Sequence, residues 1–212
     1  MLFFTAYAST IIQILAGLVN IYGLNLQVPD SKILIQNLLQ VETTVQLIEL
    51  IFYIWMVYNI NNINNITQYR YADWFFTTPI MLITLMTFID GETKNVFEYI
   101  GKEKTDVSII LVLNMLMLLF GFLGEIKYLD VQSSLILGFI PFIFYYYKIY
   151  KKLKINNQNK YKKQLFWAYF IFWSLYGVAA GLEYELKNAM YNILDLFAKN
   201  LFGIFLVANL LK

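Results

Sequence analysis

The composition of this 212-residue sequence excludes an ordinary soluble domain, because 59% of its residues are hydrophobic and its mean hydropathy is +0.57. The net charge is only +2, and Arg70 is the single arginine among 16 basic residues. The absence of cysteine and histidine excludes disulfides and thiolate metal sites and removes the commonest metal ligand. We therefore expect a membrane protein with no metal site.

Seven apolar stretches are long enough to cross a bilayer, which takes about 20 helical residues. In chain order they are Leu2–Tyr22, Gln40–Asn59, Tyr69–Ile89, Thr105–Leu123, Val131–Lys148, Lys163–Leu182 and Met190–Leu211. This pattern predicts an all-α membrane fold, a bundle of seven transmembrane helices that forms one domain over residues 1–212. The protein is thus expected to be an integral, multi-pass membrane protein.

The distribution of lysines between the spans predicts their orientation, because cytoplasmic loops are rich in positive charge. Lysines between the fifth and sixth spans form the densest group: Lys148, Lys151, Lys152, Lys154, Lys160, Lys162 and Lys163. The N-terminus is then outside and the C-terminus cytoplasmic. In the cytoplasmic link between the first two spans, Pro29 and Asp30 are a helix start signal, and the apolar residues after them predict a short interfacial helix over about 29–39.

Ionisable residues lie deep within three of the spans. Asp195 and Lys199 share one face of the last span, and Glu42 and Glu49, seven residues apart, share one face of the second. Asp73 lies in the third span. Charge inside a membrane is costly and is usually functional, so these residues predict a shared polar seam. A purely structural ion pair in the last span remains open at this point, as does a snorkelling interfacial role for Glu42.

Several runs resemble microbial rhodopsins of the bacteriorhodopsin type. Arg70–Trp74 (RYADW) and Phe76–Pro79 (FTTP) look like their third helix, and Asp195–Lys199 (DLFAK) looks like the seventh helix, which carries the retinal-bearing lysine. Trp173–Tyr176 resembles a ring-contacting motif of the sixth helix, and the spacing of Asn114, Met117 and Gly121 resembles the fourth. The short loops and the scarcity of arginine are also similar to the rhodopsins of large algal viruses.

The resemblance implies a cofactor and a site. Lys199 would carry all-trans retinal as a covalent, protonated Schiff base. Asp73 and Asp195 would be its counterions, and Arg70 would stabilise both acids from the outside. The retinal would be lined by Trp74, Thr77, Thr78, Met117, Gly121, Trp173 and Tyr176.

Departures from the family pattern carry their own expectations. Thr84 replaces the acid that often returns a proton in pumps, and this counts against fast pumping. Asn114 replaces a frequent acid and is expected to hydrogen-bond Thr78. Gly177 and Ala180 replace the proline and tryptophan that are frequent in pumps, which implies a looser pocket on that side.

A second resemblance concerns the polar seam. Glu42 and Glu49 resemble the paired glutamates of channelrhodopsin helix two, and Asn200 resembles the asparagine that follows their retinal lysine. With Ser9, Glu49 and Asn200 would then close a gate near the Schiff base, with Glu42 nearer the cytoplasm. Carboxylates along such a seam favour cations.

The function predicted from the sequence is a retinal-binding photoreceptor that acts as a light-gated cation channel, and not an enzyme. A light-driven outward proton pump and a photosensory rhodopsin are the alternatives. The expected partners are membrane lipid, translocated cations or protons and, for the protein itself, further copies in a homo-oligomer; no nucleic-acid partner is expected.

Overall fold

The computed structural model describes residues 1–156 and 160–212, and in this part of the chain it contains helices and no strands. The helices are α1 (Leu2–Leu24), α2 (Ile33–Asn59), α3 (Thr67–Asp90), α4 (Val96–Lys102), α5 (Lys104–Glu125), α6 (Val131–Asn156), α7 (Lys160–Ala180), α8 (Tyr184–Asp195) and α9 (Leu201–Leu211). Five π-helical residues, Leu196–Asn200, join α8 to α9, so Tyr184–Leu211 is one continuous helical segment.

Seven long helical segments match the seven predicted spans. In the described residues, five are long and apolar enough to cross a membrane by themselves: Leu2–Leu24, Asp30–Asn59, Thr67–Asp90, Lys104–Glu125 and Tyr184–Leu211. The other two, α6 and α7, have 26 and 21 residues, and tyrosine and lysine near one end lower their hydropathy. The predicted seven-helix bundle is confirmed, while its orientation in the membrane stays a prediction.

The long helices form a closed ring. Each packs on its neighbour in the order α1, α2, α3, α5, α6, α7 and α8–α9, and α8–α9 packs back on α1. α3 also contacts α6 and α7, and it is the most buried of the five apolar segments, at 67% against 17% for α5. A helix so enclosed can hold polar side chains away from lipid, and α3 carries Arg70 and Asp73.

The connection before α2 differs from the prediction. Asp30–Lys32 form a single 3₁₀ turn, and α2 then runs without interruption from Ile33 to Asn59. The apolar residues that predicted a separate interfacial helix over 29–39 are therefore the first turns of the spanning helix. Leu38 and Leu39 are fully buried, which explains why this part of the chain packs into the bundle instead of lying at its surface.

The end of α3 is fixed by backbone geometry. Gly91 has a φ of +68°, a left-handed conformation that glycine adopts at little cost, and its N–H donates to Thr87 O at 2.9 Å. Lys162 Nζ donates to Ile89 O at 2.9 Å and to Asp90 O at 3.3 Å. A lysine from α7 thus satisfies carbonyls at the end of α3.

Candidate functional site

Lys199 is the only lysine that is buried among the residues the structure describes. Its Nζ donates to Asp73 Oδ2 at 2.6 Å, and Asp195 Oδ1 and Glu49 Oε1 each lie at 3.5 Å. The four side chains come from α2, α3 and the last helical segment. The acids predicted as counterions therefore do meet the lysine, and Glu49, which was assigned to a gate, joins them.

The π-helical turn contributes to this arrangement. Leu201 N–H donates to Leu196 O, five residues earlier, which inserts an extra residue into the last helix. Lys199 and Asn200 lie within this turn and are both buried. Such bulges are frequent at functional sites, and no sequence pattern predicted this one.

Arg70 and Asp195 form a fully satisfied cluster on one side of Lys199. Arg70 Nη1 lies 3.3 Å from Asp195 Oδ2, and its Nε donates to Asn188 Oδ1 at 3.0 Å. Asp195 also accepts hydrogen bonds from the hydroxyls of Tyr53 and Tyr176, both at 2.6 Å. The Arg70 guanidinium and two tyrosine hydroxyls thus surround this carboxyl group with donors. Among the described residues, Arg70 forms an ion pair with Asp195 and none with Asp73, so it directly contacts only one of the two acids that it was predicted to stabilise.

Two asparagines complete this cluster. Arg70 Nη2 donates to Asn192 Oδ1, and Asn192 Nδ2 donates to Thr5 Oγ1 at 2.9 Å. Asn188 and Asn192 precede Asp195 by seven and three residues, so they share its helix face. Sequence reasoning missed both, although this spacing could have found them.

An apolar cavity begins at Lys199 and runs between α3, α5, α6 and α7. Six of the predicted retinal contacts line it: Trp74, Thr78, Met117, Gly121, Trp173 and Tyr176. Thr77 does not; it is buried elsewhere in the bundle, and its hydroxyl donates to the backbone carbonyl of Asp73, one turn earlier in α3, at 2.9 Å. The lining that sequence reasoning missed includes Tyr71, Met81, Leu118, Phe142 and Tyr191.

Rigid aromatic rings and a glycine shape the cavity. Trp74 packs edge-on against Tyr176 and Tyr191, with ring centroids 5.6 and 5.1 Å apart. A Cβ atom at Gly121 would lie 2.7 Å from the Tyr71 hydroxyl, so any side chain at this position would displace that ring. The predicted hydrogen bond from Asn114 Nδ2 to Thr78 Oγ1 is confirmed at 2.8 Å.

The three residues of the predicted gate are not bonded to one another. Ser9 Oγ donates to Asn192 O at 2.9 Å, which joins Ser9 to the Arg70 cluster. Asn200 Oδ1 instead accepts from Gln46 Nε2 at 2.5 Å. For Glu49, Lys199 is the nearest polar partner among the described residues. Each of the three residues therefore has a different partner in this structure, and a gate formed by them stays a prediction.

An amide cluster occupies the place of that gate. Asn20 Nδ2 donates to Gln46 Oε1 at 2.6 Å, so Gln46 links α1 to the residue that follows Lys199. Gly203 makes room for it, since a Cβ atom there would lie 2.5 Å from Asn20 Nδ2. Gln13 lies fully buried beside it, and its backbone carbonyl accepts from Gln46 Nε2 at 3.2 Å.

Glu42 lies deep in the bundle and not at its surface. Its exposure is only 2%, and Oε1 accepts a hydrogen bond from Thr84 Oγ1. Thr84 is the position where the sequence lacks the acid that is frequent in pumps. The structure thus brings an acid to that threonine from α2, and the snorkelling alternative for Glu42 is wrong.

A model of the bacteriorhodopsin-like proteins matches residues 2–212. The chain belongs to this family. Its cofactor is therefore retinal, which microbial rhodopsins bind through a Schiff base on a conserved lysine. Members of the family are mainly photoreceptors and ion transporters embedded in membranes.

The similar structures agree with this assignment. The viral rhodopsin OLPVRII superposes with a TM-score of 0.84 over 98% of this chain and 96% of its own, at 28% sequence identity. The blue light-absorbing proteorhodopsin from Med12 superposes with a TM-score of 0.77 over 100% of this chain and 96% of its own, at 21% identity, which supports the fold. The green-light absorbing proteorhodopsin of Gamma-proteobacterium EBAC31A08 is 25% identical over 154 residues. That match covers 65% of this chain and 59% of the relative.

The cavity suits retinal in its chemistry. An apolar polyene needs an apolar, ring-lined sleeve, and a covalent attachment needs an amine at one end. This cavity has an apolar, ring-lined wall and an amine, with Lys199 at its polar end and glycine at three wall positions, Gly121, Gly138 and Gly177.

Proposed function

We propose that this protein is a retinal photoreceptor that transports protons outward in the light. The observation that carries the proposal is a buried acid, Glu42, that lies apart from the three acids around Lys199. Lys199 has Asp73 within hydrogen-bond distance on one side, and Glu42 is held by Thr84 on the other, about two helical turns along α2 from Glu49. An acceptor and a donor that flank one nitrogen are the groups a proton pump requires.

Retinal bound at Lys199 would supply the absorption of visible light and a change of shape that moves the Nζ atom. Lys199 would hold it covalently, with Trp74 and Trp173 on its faces. Because the attached nitrogen carries a positive charge, buried carboxylates near it are stabilised instead of being isolated in a low-dielectric interior.

The first transfer in this proposal moves a proton from Lys199 Nζ to Asp73 Oδ2. Their separation of 2.6 Å allows it without any intervening group. Asp195 is the poorer acceptor of the two, because Arg70 and two tyrosine hydroxyls already stabilise its charge. Asp195 would therefore keep its contacts with Arg70 and the tyrosines while Asp73 takes the proton.

Charge balance assigns a different state to Glu49. Three carboxyl groups, of Asp73, Asp195 and Glu49, face only two cations, Lys199 and Arg70. Full ionisation would leave one unpaired negative charge in the interior, which is strongly unfavourable. Glu49 has the weakest polar contacts of the three, so we assign the neutral, protonated form to it.

The second transfer returns a proton to Lys199 Nζ from Glu42. Gln46 lies one turn from Glu42 on the same face of α2 and is bonded to Asn200, so polar side chains continue between donor and lysine. Beyond Glu42 the packing is apolar, with Leu38, Leu85 and Leu206 fully buried. That packing would keep the donor proton from leaking until the bundle opens.

The test is photocurrent against voltage in cells supplied with retinal. We expect outward current at negative and positive voltages and an uncoupler-sensitive pH change in illuminated vesicles, with Lys199→Ala giving neither signal. Current that changes sign with the driving force would exclude a pump.

A light-gated cation channel is the second candidate. The observation that favours it is a row of buried polar side chains on α2, in which Glu42 contacts α3, Gln46 contacts α1 and the last helical segment, and Glu49 lies near Lys199. In this alternative, breakage of the Asn20–Gln46–Asn200 bonds would open the seam to cations. The same measurement decides, because a channel current reverses. Photosensory signalling, the remaining alternative, predicts neither current nor a pH change.

A further inference from the structure

The cavity ends at the lipid-facing side of the bundle, between α6 and α7. There its wall is formed by Leu135, Gly138 and Phe139 of α6 and by Gly177 and Ala180 of α7. An apolar groove runs along the outer face of α6, lined by Leu135, Ile136, Phe139, Ile140, Ile143 and Phe144. The cavity and the groove share Leu135 and Phe139, so these two side chains lie between them.

Phe139 is the larger of these two barriers. Its ring lies against Gly177, where a Cβ atom would overlap it. The ring also packs edge-on against Phe142, with centroids 5.5 Å apart, and it remains partly exposed. A ring that rests on a glycine, with no side chain beneath it, can swing outward with little resistance from α7.

The opposite end of the cavity is closed to an apolar molecule. Around Lys199 lie the bonded side chains of Asp73, Asp195, Tyr176 and Arg70. Passage on that side would break several buried hydrogen bonds, each costly to leave unmade. Passage between α6 and α7 would displace only apolar contacts.

We propose that retinal reaches Lys199 sideways from the bilayer, through a portal between α6 and α7 that Phe139 closes. The occupant is an apolar aldehyde dissolved in lipid, because the passage is apolar throughout and ends at an amine. Condensation forms a C=N bond between the aldehyde carbon and Nζ and releases the aldehyde oxygen as water; a protonated amine gives a protonated product, so no other proton is required. The inference rests on attachment at Lys199, as proposed above.

The experiment measures the rate of pigment formation. Protein produced without retinal is placed in phosphatidylcholine vesicles, all-trans retinal is added, and visible absorbance is followed. Phe139→Ala should form pigment about tenfold faster, and Leu135→Trp, which fills the portal, should be slower by a similar factor. Phe4→Ala is the matched control, because it removes an exposed ring from α1, across the bundle, and should not change the rate.

Two further readings make the outcome decisive. Final absorbance and the far-ultraviolet spectrum establish that each variant is folded and fully loaded, and Phe139→Leu replaces Phe139→Ala if the latter does not fold. Bleaching by hydroxylamine reports access from water, and Phe139→Ala should accelerate it much less than retinal uptake. Equal acceleration, or unchanged uptake rates in both portal variants, would overturn the portal. Pigment that forms in no protein, including the unmodified one, would instead refute attachment at Lys199.

Discussion

The polar interior has two halves that meet at Lys199, and they are built differently. The Arg70 half is charged and closely paired, and it consists of Arg70, Asp195, Tyr53, Asn188 and Asn192. In it, each of the three side-chain nitrogens of Arg70 has a hydrogen-bond partner. The Glu42 half holds Glu42, Gln46, Asn20, Asn200 and Gln13. Among the described residues, polar atoms of four of these five side chains lack a partner.

This difference indicates that the two halves have different roles. A network with every donor and acceptor satisfied is rigid and costly to disturb, so the Arg70 half can hold one charge distribution while Lys199 moves. A half with neutral amides and spare hydrogen-bonding capacity has alternative arrangements of similar energy. The Glu42 half is therefore where a structural change after light absorption would begin.

Removal of the residue between the halves should have the largest effect. Lys199→Ala removes the amine to which retinal is proposed to attach, so visible absorbance should be lost completely. The measurement is the absorbance spectrum of protein purified with retinal present. Lys163→Ala, which removes an exposed lysine from α7, is the control and should keep its colour. A coloured Lys199→Ala protein would remove the basis of the comparison.

The rigidity of the Arg70 half predicts the next largest effect. Arg70→Gln would leave Asp195 buried without its cation, and breaking one partner of a buried pair typically costs about 3–5 kcal/mol. We expect the free energy of unfolding to fall by a similar amount. The measurement is the loss of pigment colour as denaturant is added. Lys148→Gln breaks a partly exposed salt bridge to Asp106, which keeps Lys152 as a second cationic partner, and should cost far less. Similar losses in the two variants would mean that the Arg70 half is not the rigid one.

Proton return from the Glu42 half should be slowed by a single oxygen-to-nitrogen change. Glu42→Gln keeps size and polarity but cannot release a proton, and the loss of a general acid typically slows transfer by about 100-fold. Flash photolysis should show slow recovery of the initial absorbance and a nearly unchanged spectrum. Glu98→Gln makes the same exchange at an exposed acid of α4 and is the control. If recovery in Glu42→Gln is as fast as in the unmodified protein, Glu42 is not the donor.

The sequence predicted the bundle and the centre of the site because both depend on local pattern. Seven apolar stretches and the facial spacing of Asp195 and Lys199 follow from the helical period alone. The hydrogen-bond partner of Asn200 cannot be predicted from the helical period. The rotation of the helix and the extra residue of the π turn decide whether Gln46 or Glu49 reaches it. Nor can the period predict the hydrogen bond between Thr84 and Glu42, which joins residues 42 positions apart.

The colour of the pigment should separate the two acids nearest Lys199. Asp73→Asn removes the carboxylate at 2.6 Å, which stabilises the cation in the ground state, so absorbance should shift to the red. Glu49→Gln replaces a group that we assign as already neutral, so its shift should be much smaller. Absorbance spectra at neutral pH test both. A larger shift in Glu49→Gln than in Asp73→Asn would reverse the assignment of charge.

The smallest predicted effect tests whether the Glu42 half, which has unpartnered polar atoms, can change its structure at low energetic cost. Gly203→Ala places a methyl group 2.5 Å from Asn20 Nδ2 and 2.7 Å from Asn20 Oδ1. Overpacking and one weakened hydrogen bond cost more than the helix gains from alanine, so we expect a net loss of about 1 kcal/mol in unfolding free energy. Gly17→Ala on α1 is the matched control, because nothing lies within 4 Å of its added Cβ. Gly203→Ala should also change the rate of photocycle recovery, because Asn20 would be pushed away from Gln46, the link to Asn200. A loss near 3 kcal/mol would show instead that the amide cluster is as rigid as the Arg70 half, and the proposed division between the halves would fail.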